Sequence, residues 1–227
     1  SAALLGSLFF ISCSPANSTP PSAESATTAS PSKPAAMTPP DPMLAAADHG
    51  RITGDSTAKT WVIMASDFQC PFCKEWHTES YRQFLDTYVR TGKIRVAYVN
   101  FPLGQHQNAV PAAEGAMCAS AQNKFWEFHD ALFESQDKWA TMPDIRPVLD
   151  SIATAVGVNN ADWKQCVDSK KMLPLILADR DRAAKAGVGS TPTFLIGDQS
   201  IEGAQPFSVM RPVIDAAIAK NGTAPPK

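Results

Sequence analysis

One helical pattern held between two strand-like runs constrains this chain more than any other feature. Residues 59–65, Lys-Thr-Trp-Val-Ile-Met-Ala, form a short apolar run rich in β-formers, the pattern of a buried strand. From about Cys70 to Thr91, Phe72, Trp76, Phe84, Leu85 and Tyr88 fall near helical spacing, with Gly92 as the C-cap. Ile94 to Phe101 then alternates as a second strand. A helical crossover makes the unit βαβ, with parallel strands.

Residues 107 to about 186 carry only helical patterns, in about five pieces: 107–121, 123–134, 143–156, 160–169 and 173–186. Thr193–Ile196 and Gln199–Gly203, joined at Gly197-Asp198, read as a β-hairpin. A last amphipathic helix runs from Pro206 to Lys220. The order βαβ, helical block, ββ, α is the thioredoxin order with helices inserted in its middle, an α/β fold carrying an all-helical subdomain.

The N-terminal part is different in kind. Residues 14–42 number 29, and Pro (8), Ser (6), Thr (4) and Ala (6) supply 24 of them, with no aromatic residue. Such a segment cannot bury enough apolar surface to offset its ordering entropy, so it is expected to be an extended tether. Before it, Phe10-Ile11-Ser12-Cys13 resembles the end of a bacterial lipoprotein signal, which makes residues 1–13 a signal remnant and Cys13 the candidate lipid anchor. The apolar stretch Ala2 to Ile11 is ten residues long, short of the roughly 20 that span a bilayer, so membrane contact is expected only through that anchor. Residues 43–227 are long enough for one domain with a real core.

A formal charge of −2, with no run of five like charges, argues against nucleic acid as a partner. The composition, 44% hydrophobic and 19% charged, excludes a coiled coil and a fully disordered chain.

Cys70-Pro71-Phe72-Cys73 sits where the first strand hands over to the helix, which puts both thiols on one face of the first turn. Helix N-terminal N–H groups favour an anion, so the Cys70 thiolate is expected to be stabilised, and Pro71 fixes φ where no donor is missed. Cys70 is expected to be the exposed attacking thiol and Cys73, one turn deeper, the shielded resolving one. Zinc uses the same CxxC spacing, and Cys70, Cys73 and His77 would be its ligands, but there is no second CxxC to complete four.

Ser66-Asp67-Phe68-Gln69-Cys70-Pro71-Phe72-Cys73, then Phe101-Pro102-Leu103 with His106, then Gly187-Val188-Gly189-Ser190-Thr191-Pro192-Thr193-Phe194 resemble, in order, the DsbA-like family of thiol-disulfide oxidoreductases. The resemblance covers roughly residues 50–220. It implies a disulfide oxidoreductase of the cell envelope, free of cofactor and metal. Its partners would be exported cysteine-containing proteins and a membrane or soluble redox protein.

On the same ground Thr191-Pro192 is expected to be cis and to lie against the active-site disulfide, with Pro192 part of the catalytic site. Pro71, Phe72 and Thr191 would contact substrate. Thr191, where strongly oxidising members carry Ile or Val, leaves a reductase or isomerase as the alternative.

One departure stands out: Met64 occupies the position, six residues before Cys70, where many members bury a carboxylate. Asp67 is expected to cap the helix, His106 to sit at a helix start, and His77 to be a packed or surface histidine. Cys118 and Cys166 lie on different inserted helices. In an exported protein they are expected to form a structural disulfide, as in some members of the family; two buried thiols are the alternative. The tryptophans are expected in the core, except that Trp76, with Phe72, lies near enough to the motif to face substrate.

Overall fold

A computed structural model describes residues 41–222 of the chain; Cys13 and nearly all of the expected tether lie outside the described residues. Five strands form one mixed sheet: β1 (Ile52–Gly54), β2 (Thr60–Ser66), β3 (Ile94–Asn100), β4 (Thr193–Ile196) and β5 (Gln199–Glu202). The order across the sheet is β1-β3-β2-β4-β5. β2 and β3 are parallel, with Val62 beside Val96 and Met64 beside Tyr98, and the other neighbours are antiparallel.

The alternation read in the second strand is the alternation of burial. Ile94, Val96, Tyr98 and Asn100 are buried on one face, and the intervening residues are half-buried. The first face carries the main core, which runs from Val62, Met64 and Phe194 through Phe68 and Phe125 to Trp139 and Trp163 in the helical block. On the opposite face Ala65, Phe101, Ala183 and Val188 form a smaller cluster.

The inserted block consists of helices Ala109–Ser120, Phe125–Glu134, Gln136–Trp139, Arg146–Val156, Asn160–Asp168 and Leu173–Lys185. The last of these is anchored to the sheet by a buried carboxylate: Asp179, 1% exposed, accepts from Asn100 N and Nδ2 at 3.2 and 2.9 Å and pairs with Arg51. Within the block Gly115 is a point of close approach. A Cβ there would stand 3.2 Å from Phe128, and Trp163 Nε1 donates to the Gly115 carbonyl at 2.9 Å.

Three features depart from the expected pattern. The tether was expected to reach residue 42, but a helix, Pro42–Gly50, begins there, with Asp41 Oδ1 accepting from Met43 N at 2.9 Å as its cap. β1 follows it as an edge strand of only three residues. The long helix after Cys70 spans residues 71–89 but widens into two π-helical turns, His77–Tyr81 and Leu85–Val89, which hydrophobic spacing does not distinguish from α-helix. The final helix runs Phe207–Gly222.

Candidate active site

The redox motif begins at a helix N-terminus. Cys70 is the N-cap in an extended conformation, φ −69° and ψ 125°, and Pro71 occupies the first turn, where its missing N–H costs nothing. Across from it, Thr191-Pro192 is a cis peptide. Cys70 Sγ lies 3.4 Å from the Thr191 carbonyl, to which it donates when protonated, so the loop carrying the cis bond touches the sulfur directly. The Thr191 hydroxyl is buried and acts on the same sulfur.

Exposure does not separate the two thiols as expected: Cys70 is 3% and Cys73 2% exposed, and both are free. Ionisation separates them. A hydrogen bond from the Cys73 thiol, then Thr191 and the Cys73 and Phe72 N–H groups, hold the Cys70 pKa down to about 6 against the opposing effect of burial. Burial, together with the hydrogen bond and charge of Cys70, pushes Cys73 well up; the Asp67 N–H and the Ser66 hydroxyl oppose this without overcoming it. At neutral pH Cys70 is a thiolate and Cys73 a thiol, the arrangement for one nucleophile and one held in reserve.

Phe72 is 58% exposed beside Cys70, the largest exposure of any big apolar side chain near the motif. Trp76 is not part of that surface. It is 3% exposed, its ring lies 4.6 Å from Phe194, and Nε1 donates to Met210 Sδ. One turn further into the helix its side chain points to the core.

Asp67 does not cap the helix. Its carboxylate is buried; Oδ1 accepts from Gln69 N at 2.7 Å, while Oδ2 accepts from Leu103 N at 2.9 Å and from His106 Nδ1 at 2.7 Å. His106 is thereby a tie between the CPFC loop and the Phe101–Leu103 loop rather than a helix-start residue alone.

Gln136 was not foreseen at all. Its Nε2 donates to the Phe68 and Cys70 carbonyls at 2.7 and 3.0 Å, clamping the motif from the helical block. Gln69 adds a second tie, donating to the Ala140 carbonyl at 2.6 Å and accepting from Asn108 N at 2.6 Å. Only the position of Gln69 in the motif pointed that way; Gln136 carries no sequence signal.

The metal ligand set Cys70, Cys73 and His77 is not brought together. His77 Nε2 donates to Asp130 Oδ1 at 3.1 Å, and His129 Nδ1 donates to the same oxygen at 2.8 Å. His77, His129 and Asp130 are the group among the described residues whose ligand atoms converge, within 4.8 Å. Their polar atoms are already mutually bonded in a nest of aromatic rings, with Phe133 5.2 Å from His77 and Tyr98 5.5 Å from His129. Cys118 and Cys166 are joined as a disulfide with Cα atoms 5.9 Å apart.

Comparison with known proteins agrees with this geometry. The model of the thioredoxin family matches residues 46–216. Disulfide bond formation protein D of Bacillus anthracis is 27% identical over 173 residues, covering 74% of this chain and 77% of that one. A protein-disulfide oxidoreductase of Rickettsia prowazekii is 29% identical over 157 residues, and the match spans 57% of its length, little more than half. Among solved structures, Wolbachia pipientis α-DsbA1 is 25% identical with a TM-score of 0.67, covering 75% of this chain and 92% of that one. Oxidised BdbD from Bacillus subtilis, 20% identical with a TM-score of 0.68, covers 75% and 94% and shares the fold.

Proposed function

The chain belongs to the thioredoxin family, among its DsbA-like members, and from that premise we propose that it is a thiol-disulfide oxidoreductase acting on the cysteines of exported proteins. The observation that carries this is the opposed ionisation of Cys70 and Cys73 beside the cis Thr191-Pro192 bond.

In the oxidising direction a client thiolate attacks Cys70 Sγ of the Cys70–Cys73 disulfide. A bond forms between client sulfur and Cys70, and the electron pair of the broken bond leaves on Cys73. A second client thiolate then attacks the client sulfur of the mixed disulfide, and Cys70 departs as a thiolate. A stabilised thiolate is the better leaving group, so a Cys70 pKa of about 6 supports oxidation of clients. A separate redox protein must remove the two electrons from the reduced pair to restore the disulfide. Phe72 and Pro71, both exposed, and the Thr191 backbone offer the contact surface for an extended client segment.

Action outside the cytoplasm is supported by the Cys118–Cys166 bond, which reducing compartments disfavour. No helix among the described residues is long and apolar enough to cross a membrane. Attachment through a lipidated Cys13 rests on the sequence pattern alone and is tested by loss of membrane fractionation in Cys13→Ala. Thr191 ahead of the proline favours the second reading, a reductase or isomerase.

Equilibration of the Cys70–Cys73 pair with glutathione decides between them. A potential well above that of the glutathione pool supports the oxidase, one below it supports the reductase, and a pair that does not exchange overturns both.

A further inference from the structure

Two helices, one from each part of the fold, bring three ligand-type side chains to one point. His77 lies four residues beyond Cys73 and opens the first π-helical turn, His77–Tyr81, a kind of turn frequent at functional sites. His129 and Asp130 belong to the helix Phe125–Glu134 of the inserted block. Asp130 Oδ1 accepts from His77 Nε2 at 3.1 Å and from His129 Nδ1 at 2.8 Å, so both ring nitrogens aim at the place that one oxygen fills. The ligand atoms of the three residues all lie within 4.8 Å of one another. A tetrahedral ion held at about 2.0–2.2 Å by each ligand sets those ligands roughly 3.4 Å apart, a spacing this cluster reaches with a small shift of Asp130.

The rings are fixed and the carboxylate is not. His77 stacks on Tyr81 at 4.9 Å and on Phe133 at 5.2 Å. His129, 1% exposed, sets its edge against Phe133 at 5.0 Å and Tyr98 at 5.5 Å. The Asp130 side chain is 41% exposed, and its Oδ2 takes part in neither hydrogen bond. Two held imidazole nitrogens with one movable carboxylate are the donor set of a borderline-soft divalent cation. Calcium and magnesium want oxygen ligands and are poorly served by it.

We propose that His77, His129 and Asp130 are a binding site for a zinc-type divalent cation, which joins the helix carrying the CPFC motif to the inserted block. The cation takes the point where Oδ1 sits, and the carboxylate swings outward to become the third ligand. Each neutral ring moves its proton to its other nitrogen, so His77 ligates through Nε2 and His129 through Nδ1 with no net change in protons. The exposed side of Asp130 leaves the fourth position to water. Neither Cys70 nor Cys73 takes part, so the site should fill whether that pair is oxidised or reduced.

The test is calorimetric titration of the full chain with zinc chloride, with Cys70 and Cys73 oxidised and any remaining thiol alkylated, so that no thiolate can hold the ion. A single zinc per chain is expected, undisturbed by excess magnesium or calcium. His77→Phe keeps the ring stacking and removes a ligand, and Asp130→Asn alters only a half-exposed group. Each should weaken zinc about tenfold or more, since even an outer partner of a ligand is worth roughly 10–100-fold in affinity. His49→Gln, at a histidine of the first helix outside the cluster, should bind as the parent does. Zinc should also raise the melting temperature of the parent and not that of His77→Phe, because ligands from two elements converge only in the folded chain. Cobalt(II) in place of zinc should give visible d–d absorption that both variants diminish. A parent that binds no zinc, or parental affinity in either His77→Phe or Asp130→Asn, overturns the site and marks the cluster as a hydrogen-bonded tie alone.

Discussion

The two cysteine pairs of the described domain have the same atoms and opposite surroundings. Cys118 and Cys166 are 48 residues apart, on two helices of the inserted block, and are joined to each other as a disulfide. Cys70 and Cys73 are separated by one turn at a helix N-terminus, where the Cys73 thiol, Thr191 and backbone N–H groups pull Cys70 down, while burial and the neighbouring Cys70 leave Cys73 high. Burial is nearly equal at all four positions, from 1 to 3% exposed. Burial therefore does not distinguish the two pairs, whereas the groups that hydrogen-bond to each thiol do distinguish Cys70 from Cys73.

The sharpest way to break that contrast is to remove one sulfur at a time. Cys73→Ser should accumulate mixed disulfides with client proteins, whereas Cys70→Ser should accumulate none; non-reducing gels that show equal trapping would abolish the distinction between the two thiols. Replacing Cys118 and Cys166 together by Ala should cost stability instead, about 4 kcal/mol in the chain-entropy model for a loop of this length. Denaturant unfolding measures that loss, and single-turnover exchange with dithiothreitol should stay near the parental rate.

Gln136→Leu should fall between the two classes. It strands the Phe68 and Cys70 carbonyls, an expected loss of about 1–3 kcal/mol, and it also loosens the motif, so unfolding and exchange rate should both change.

The smallest effect is the pH dependence of Cys70. Its pKa is lowered, so its thiolate stabilises the reduced fold above the unfolded thiol range of about 8.5, and that contribution is lost as pH falls through about 6. Iodoacetamide labelling of Cys70 should accordingly be flat above pH 7 and fall about tenfold per unit well below pH 6. A labelling midpoint near 8.5 would mean that the Cys73 thiol, Thr191 and the N–H groups of the helix end do not act on the sulfur.

Much of the fold was legible because it is written in short-range periodicity. The parallel βαβ unit, the helical block and the closing hairpin each rest on spacing within a dozen residues. The helix at Pro42–Gly50 was lost because it opens at the end of a proline-rich stretch, and three residues of β1 are too few to show a period. In the site, Cys70, Cys73 and Pro192 stood out by motif. The contacts that hold them did not, since Asp67 meets His106 across 39 residues and Gln136 meets Phe68 across 68. Pairings of that range leave no local signature in one sequence. The same limit placed Trp76 on the surface, where proximity in sequence to Phe72 stood in for a direction that only the helix turn supplies.

The edges of the sheet carry a consequence for a protein that would handle unfolded chains. β1 offers three residues and ends at Gly54, while β5 offers four, of which Gln199, Ser200 and Glu202 are exposed. Unfolded clients present sticky extended segments, and a long apolar rim would nucleate their stacking into aggregates. One rim of three residues and one with exposed polar side chains offer such segments little template. Under the proposed function, strand-like pairing would then be left to the Thr191 loop, where it would end once the disulfide is exchanged.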